Sequence, residues 1–302
     1  MTARRKIITA SAVLASLAIM PASAQDKDSA PAGGNEQSEG NLTTKATNPV
    51  GALIQLQLQD LFVPESDNSS GSANTGIIQP VIPYALGEGG YFQNIITRPT
   101  IPIVTTPKVD VGEGDRERET GMGDITVLTA PTHTEFGSKA GEFTTWGPIA
   151  ALTLPTASDP GTGADVWSAG PGVIAVTNLA RENGDNFMLG GLIYHLWGLE
   201  GQEDDADVDK TVLQPVVIYK FKSLFGQNSW YVRNPDDTWT YDWEEDEWNQ
   251  IPLGVFAGRV LNFGQQPVNI FGGGWVNAVS SDRGASADYA FKLSFSFLFP
   301  AK

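Results

Sequence analysis

The sequence predicts an all-β fold, an antiparallel transmembrane β-barrel of about 12 strands, and three observations carry that expectation. About twelve strand-length runs follow one another, and past the N-terminus no segment holds a helical period or reaches the roughly 18 apolar residues of a membrane helix. The connections alternate between short turns and longer polar loops. The last run, Tyr289 to Phe299, carries large apolar side chains at its odd positions and Lys292, Ser294 and Ser296 among its even ones, so a strand there has one greasy and one wet face. A sandwich strand would show the same alternation. The even number of runs and the two kinds of connection favour the barrel.

Taken in order, the chain opens with Arg4, Arg5 and Lys6, then an apolar run from Ile7 to Met20, then Ala22-Ser23-Ala24 before Gln25. This reads as a signal peptide, residues 1–24, cleaved after Ala24. Its loss removes three of 19 basic residues and none of 35 acidic ones. So acidic a chain is a poor ligand for nucleic acid. No cysteine is present, so stability rests on packing and backbone pairing.

Residues 25–47, rich in Ser, Ala, Gly and Asn, read as a disordered lead-in, and 48–302 as the barrel. The strand-like runs begin with Ile54, Leu56 and Leu58 alternating with Gln55, Gln57 and Gln59. They continue at Ile78 to Leu86, Tyr91 to Val104, Ile125 to Ala130, Phe143 to Leu154, Trp167 to Thr177 and Phe187 to Trp197. The remaining runs are Thr211 to Phe221, Ser229 to Tyr241, Trp248 to Val260, Val268 to Val279 and Tyr289 to Phe299. Pro131 to Glu142 breaks the pattern, a long connection on the short-turn side. Pro80, Pro99, Pro148 and Pro215 fall inside expected strands, where a missing N–H demands a bulge, a rim or an earlier strand end. Most tryptophans lie near run ends, as an aromatic girdle requires.

The ordered series Asn48-Pro49-Val50, Ile78-Gln79-Pro80-Val81-Ile82-Pro83, Thr97-Arg98-Pro99-Thr100-Ile101-Pro102, Gly121-Met122-Gly123-Asp124, Leu154-Pro155-Thr156-Ala157, Leu213-Gln214-Pro215 and Phe297-Leu298-Phe299-Pro300 resembles an outer-membrane family linked to phenol meta-cleavage degradation operons. Many members are described as transporters, and some carry the misapplied name neuromedin U. The resemblance implies an outer-membrane channel or transporter for passive passage of small solutes, hydrophobic or aromatic ones among them. It brings no catalytic residues, cofactor or metal. Its implied partners are outer-membrane lipid and lipopolysaccharide, a small-molecule solute and the barrel assembly machinery.

Two other functions compete with transport. A lipase-like barrel enzyme needs a nucleophile beside His133 or His195, and neither has a serine two residues away on its own strand face. A structural or adhesive exported β-protein would need no polar lumen. Asp205, Asp207 and Asp209 resemble the start of a calcium loop, but Lys210 stands where its glycine belongs. The residues left for a channel lining are Gln55, Gln57, Gln59, Gln79, Arg98, Asp124, Gln214 and Lys292; Lys220, near a run end, either lines or snorkels. Counting from the strand ends puts Gln57, Arg98 and Lys292 at one level, with Gln57 beside Lys292, and so predicts a mildly basic constriction.

Overall fold

A computed structural model describes residues 42–49, 51, 53–66, 69–87, 89–109, 118–159, 161–199, 208–224, 229–279 and 287–300. The expected signal peptide, most of the lead-in, Asp205 and Asp207 lie outside the described residues. Among the described residues there are seventeen strands: β1 (Leu53–Val63), β2 (Ser69–Ser70), β3 (Ala73–Ala85), β4 (Asn94–Thr105), β5 (Lys108–Val109), β6 (Thr120–Met122), β7 (Ile125–Phe136), β8 (Phe143–Leu154), β9 (Ser168–Ala180), β10 (Asn186–Gly198), β11 (Asp209–Lys220), β12 (Trp230–Arg233), β13 (Trp239–Asp242), β14 (Glu247–Gln250), β15 (Pro252–Phe263), β16 (Gln266–Asn277) and β17 (Tyr289–Pro300).

Antiparallel pairing runs from β1 through β3, β4, β7, β8, β9, β10 and β11 to β12, β15, β16 and β17, and β17 pairs with β1. The wall is thus a closed barrel of 12 crossings, the ninth built from β12 and β13, the tenth from β14 and β15. A crossing of 12 residues reaches about 30 Å of height at about 3.4 Å per residue and about 40° tilt, enough to span a hydrocarbon core. Alternation decides the faces. In β17, Ala290, Lys292, Ser294, Ser296 and Leu298 are buried, while Phe291, Leu293, Phe295 and Phe299 are exposed.

β7 continues to Phe136, so the irregular connection expected at 131–142 shrinks to a short turn, and His133 sits in a strand. The prolines stay inside the strands, at gaps in the ladders. β3 and β4 pair at Ile78↔Ile101 and resume at Ile82↔Thr97, which leaves Pro80 opposite Pro99. β7 and β8 skip from Thr129↔Ala150 to His133↔Trp146, leaving Pro131 opposite Pro148. Two missing donors facing one another share a single interruption. The strands close up at the second gap, where a Cβ on Gly147 would sit 1.9 Å from the Pro131 carbonyl oxygen.

Two features depart from the sequence reading. Residues 42–47 are helical rather than a disordered lead-in, with Thr43, Ala46 and Thr47 nearly inaccessible and Lys45 exposed. Six residues with three threonines make a poor helix by propensity. Packing against Leu53, Val260 and Leu298, inside the turn end of the barrel, stabilises it, and Pro49 bars its continuation. The second is the Ser229 to Tyr241 run, which breaks: residues 234–238 leave the wall between β12 and β13.

The barrel interior is not uniformly wet. A continuous apolar cluster includes Leu128, Ile174, Met188, Leu192, Ile218 and Phe256. Tyr231 and Phe256 are fully buried, and Tyr231 fits only because position 258 is glycine, since a Cβ there would lie 2.4 Å from the phenol ring. The polar interior is concentrated on β1, β4, β17 and the inturned segment.

Candidate lumenal site

The glutamines of β1 form a ladder along one strand face. Gln57 Nε2 donates to Gln55 Oε1 at 3.1 Å, and Gln59 Nε2 to Gln57 Oε1 at 3.0 Å. Side chains two apart on a strand share a face, so each amide satisfies its neighbour without leaving the wall. Gln79 donates to Thr100 Oγ1 at 2.6 Å, within the proline gap of β3 and β4.

Arg98 and Gln214 come from nearly opposite sides of the ring, the third and eighth crossings, yet Arg98 Nη1 donates to Gln214 Oε1 at 3.1 Å. Gln214 Nε2 in turn donates to the Asp236 carbonyl of the inturned segment. Lys292 holds that segment from the twelfth crossing, with Nζ 3.1 Å from Asp236 Oδ1 and 2.6 Å from Asp237 Oδ1. The lysine and both carboxylates are largely buried, their side chains 3%, 11% and 7% exposed. A septum therefore crosses the lumen from Arg98 through Gln214 and the Asp236-Asp237 pair to Lys292.

Cavities lie on both sides of this septum. A small one of about 50 Å³ is bordered by Ala46, Thr47, Asn48, Gln55 and Gln57, the helix end closing it. A larger one of about 230 Å³ is bordered by Gln59, Ile77, Thr100, Thr126, Tyr194 and Lys292. Gln79, Arg98, Gln214 and Asp236 border both.

The register separates two residues the strand-end count had placed together. Lys292 stands opposite Leu61, and Gln57 opposite Ser296 and Gln79. The count assumed equal strand ends, but β1 starts opposite Pro300, so Lys292 lies four residues farther toward the loops. Asp124 is at the loop end, just before β7. Its carboxylate accepts the backbone N–H groups of Thr156, Ala157, Ala164 and Asp165 and so ties down the loop that follows β8. Lys220 points inward at the turn end and donates to Asn178 Oδ1 at 2.6 Å. The sequence reading missed Asp236 and Asp237; Pro235 beside them was the signal that the run breaks there.

The histidines lie on the outer face. His133 stacks on Tyr91 with centroids 4.3 Å apart, near Trp146. His195 meets Thr211 across the ladder, Nδ1 to Oγ1 2.9 Å, and its Nε2 is 2.7 Å from Asp209 Oδ1. Thr211 also accepts from Trp243 Nε1 at 2.8 Å. A hydroxyl, an imidazole and a carboxylate thus meet, but the threonine oxygen already serves an indole. The ladder bonds of β10 and β11 also occupy backbone amides that an oxyanion hole would need. Polar tips on an aromatic belt are what the arrangement provides. Among the described residues no group of three His, Asp or Glu side chains is placed to hold a metal.

The fold has a solved counterpart. The crystal structure of an outer membrane channel from Pseudomonas putida F1 superposes with a TM-score of 0.54 at 12% sequence identity, covering 83% of this chain and 97% of that one. At that identity the likeness is one of fold. No protein-family model matches the chain, and no curated protein matches it in sequence.

Proposed function

We propose that the chain is an outer-membrane channel that passes small solutes. The observation that carries this reading is the lumen itself, where a polar track from Gln55 to Gln59 and on to Arg98 and Gln214 opens into cavities on both sides of a one-segment septum. A barrel kept only for structure or adhesion has no use for buried cations in its lumen, which cost free energy to desolvate. An exposed apolar belt including Leu58, Leu293, Phe295 and Phe299 suits lipid, and an outer-membrane location follows from it together with the expected signal peptide, cleaved after Ala24. The fold shared with the P. putida channel supports the same reading.

On this view the turn end, where both ends of the wall lie, faces the periplasm, and the loop end meets lipopolysaccharide. Insertion falls to the barrel assembly machinery. The apolar interior beside the polar track, with the resemblance to the degradation-operon family, supports hydrophobic or aromatic solutes. Swelling of proteoliposomes in small sugars and conductance in planar bilayers test the reading. Slow flux of the smallest solutes is expected. A folded, heat-modifiable protein with neither flux nor conductance would overturn it.

A further inference from the structure

We propose that the larger cavity, beside Arg98, binds a small organic anion: a carboxylate on an apolar body. The proposal rests on the channel reading in placing this site along a solute path. Three observations carry it.

The first is a cation with no carboxylate in contact. Among the described residues Arg98 has no carboxylate within 4.0 Å; its partner is the neutral amide of Gln214, and its Nε is shielded from solvent with no hydrogen-bond partner. Lys292, nearby, is answered by two carboxylates. Across the site Arg98, Arg233 and Lys292 stand against Asp236 and Asp237, which leaves one positive charge in excess. The lysine holds both carboxylates, so the excess is shared by the two guanidiniums; Arg233 lies over the Phe271 ring and borders only the small cavity, which leaves Arg98 as the one that faces the larger cavity. A guanidinium offers five N–H donors in a rigid fork, and a carboxylate matches that fork with two parallel bonds.

The second is room. The cavity that Arg98 borders measures about 230 Å³, a space fit for a single-ring acid. Lys220 and Arg233, inward cations that likewise have neutral hydrogen-bond partners, do not border this cavity. The third is the lining. Ile77, Leu128 and the buried Tyr194 supply apolar wall, while Thr100, Thr126 and Gln79 supply hydroxyls and an amide. A few polar groups converging on an otherwise apolar pocket fix a ligand's orientation. A bound carboxylate would also compete with Asp236 for the cations that hold the septum, so occupancy would loosen the block on the path.

The test uses the full chain, purified in detergent, titrated calorimetrically with benzoate, benzyl alcohol and benzylammonium. Benzoate should bind at least about tenfold more tightly than benzyl alcohol, because charge-assisted hydrogen bonds are roughly twice as strong as neutral ones, and benzylammonium should not bind. Arg98→Gln should erase the preference for benzoate, and Arg98→Lys should restore it in part. Equal affinity for benzoate and benzyl alcohol in the wild type, which needs no variant, overturns the site. So does undiminished benzoate binding in a folded Arg98→Gln protein. Arabinose flux is read separately. Benzoate binding without arabinose flux overturns the channel reading and keeps the site; flux without benzoate preference does the reverse.

Discussion

The seam where the barrel closes and the ninth crossing are built on opposite terms. At the seam, β1 and β17 pair without interruption over ten positions, from Leu53↔Pro300 to Phe62↔Phe291. At the ninth crossing, β12 and β13 contribute four residues each, and the five between them turn inward. The seam strands alternate apolar with polar side chains and carry aromatic and branched residues that suit a pleated surface. The break is Asn-Pro-Asp-Asp-Thr, and its first four residues are of types depleted from strands. Asn234 patches the hole: its N–H donates to the Val217 carbonyl, its Oδ1 accepts from the Val217 N–H, and its Nδ2 donates to the Pro215 carbonyl. Leaving the wall is thus a local decision of sequence, whereas the place where the departed segment settles is chosen by Lys292, a distant residue on the seam.

The largest way to break this contrast is Lys292→Met. It strands two buried carboxylates, and breaking a buried ion pair costs about 3–5 kcal/mol. The expected outcome is that loss in urea unfolding, or release of the segment with a rise in single-channel conductance. Adding Asp236→Asn and Asp237→Asn to Lys292→Met should recover part of the stability, because no carboxylate is then stranded, while Arg98 and Arg233 lose the favourable field of Asp236. If Lys292→Met alters neither stability nor conductance, the septum is not held as described.

Next in size is the lipid face of the seam. Phe295→Arg places a cation near the middle of an unbroken strand, at a cost of about 2–4 kcal/mol if that face meets hydrocarbon. Refolding into lipid vesicles measures it, and an unchanged unfolding free energy would contradict the outward assignment. A smaller effect belongs to the wall beside the break. Gly258→Leu drives a side chain into the ring of Tyr231, and overpacking of this kind costs about 1–3 kcal/mol, read as a lower urea midpoint.

The smallest concerns pH at the turn between β9 and β10. Burial raises the Asp185 carboxyl, but the N–H of Lys222, the Tyr219 hydroxyl, the Asn183 amide and the Arg181 charge outweigh it and hold the group below the usual carboxylate range. A depressed folded pKa means stabilisation present above the unfolded value and lost as pH falls through the folded one. The group is mostly exposed, so the contribution is below about 1 kcal/mol. Asp185→Asn should lower stability slightly at neutral pH, leave it nearly unchanged once the carboxyl is protonated, and so flatten the acid limb of the stability curve; an unaltered acid limb would deny the turn that role.

Much of this architecture was legible in the sequence, for reasons that also mark where legibility ends. Alternation reports a face, and Gln55, Gln57, Gln59 and Lys292 could be turned inward from that alone. It does not report a neighbour. Lys292 was therefore set beside Gln57, when the staggered register puts it opposite Leu61 and its charge partners come from a segment read as continuous strand. Asp124 sits one residue ahead of β7, where strand parity no longer governs direction, and it spends its carboxylate on loop amides. The helix at 42–47 was invisible because its residues have little intrinsic preference for helix. Only its contacts with Leu53, Val260 and Leu298 make that conformation favourable.

The pairing of β1 with β17 has a temporal meaning. Leu53 and Pro300 are partners, so the two ends of the wall are neighbours in space and about as far apart in synthesis as the barrel permits. No chain that lacks β17 can close this ring. Every nascent molecule must hold its greasy strands unclaimed until then, and loop closure over so long a separation is slow. The dozen residues of β17 are thus the ones for which all earlier strands must be kept waiting.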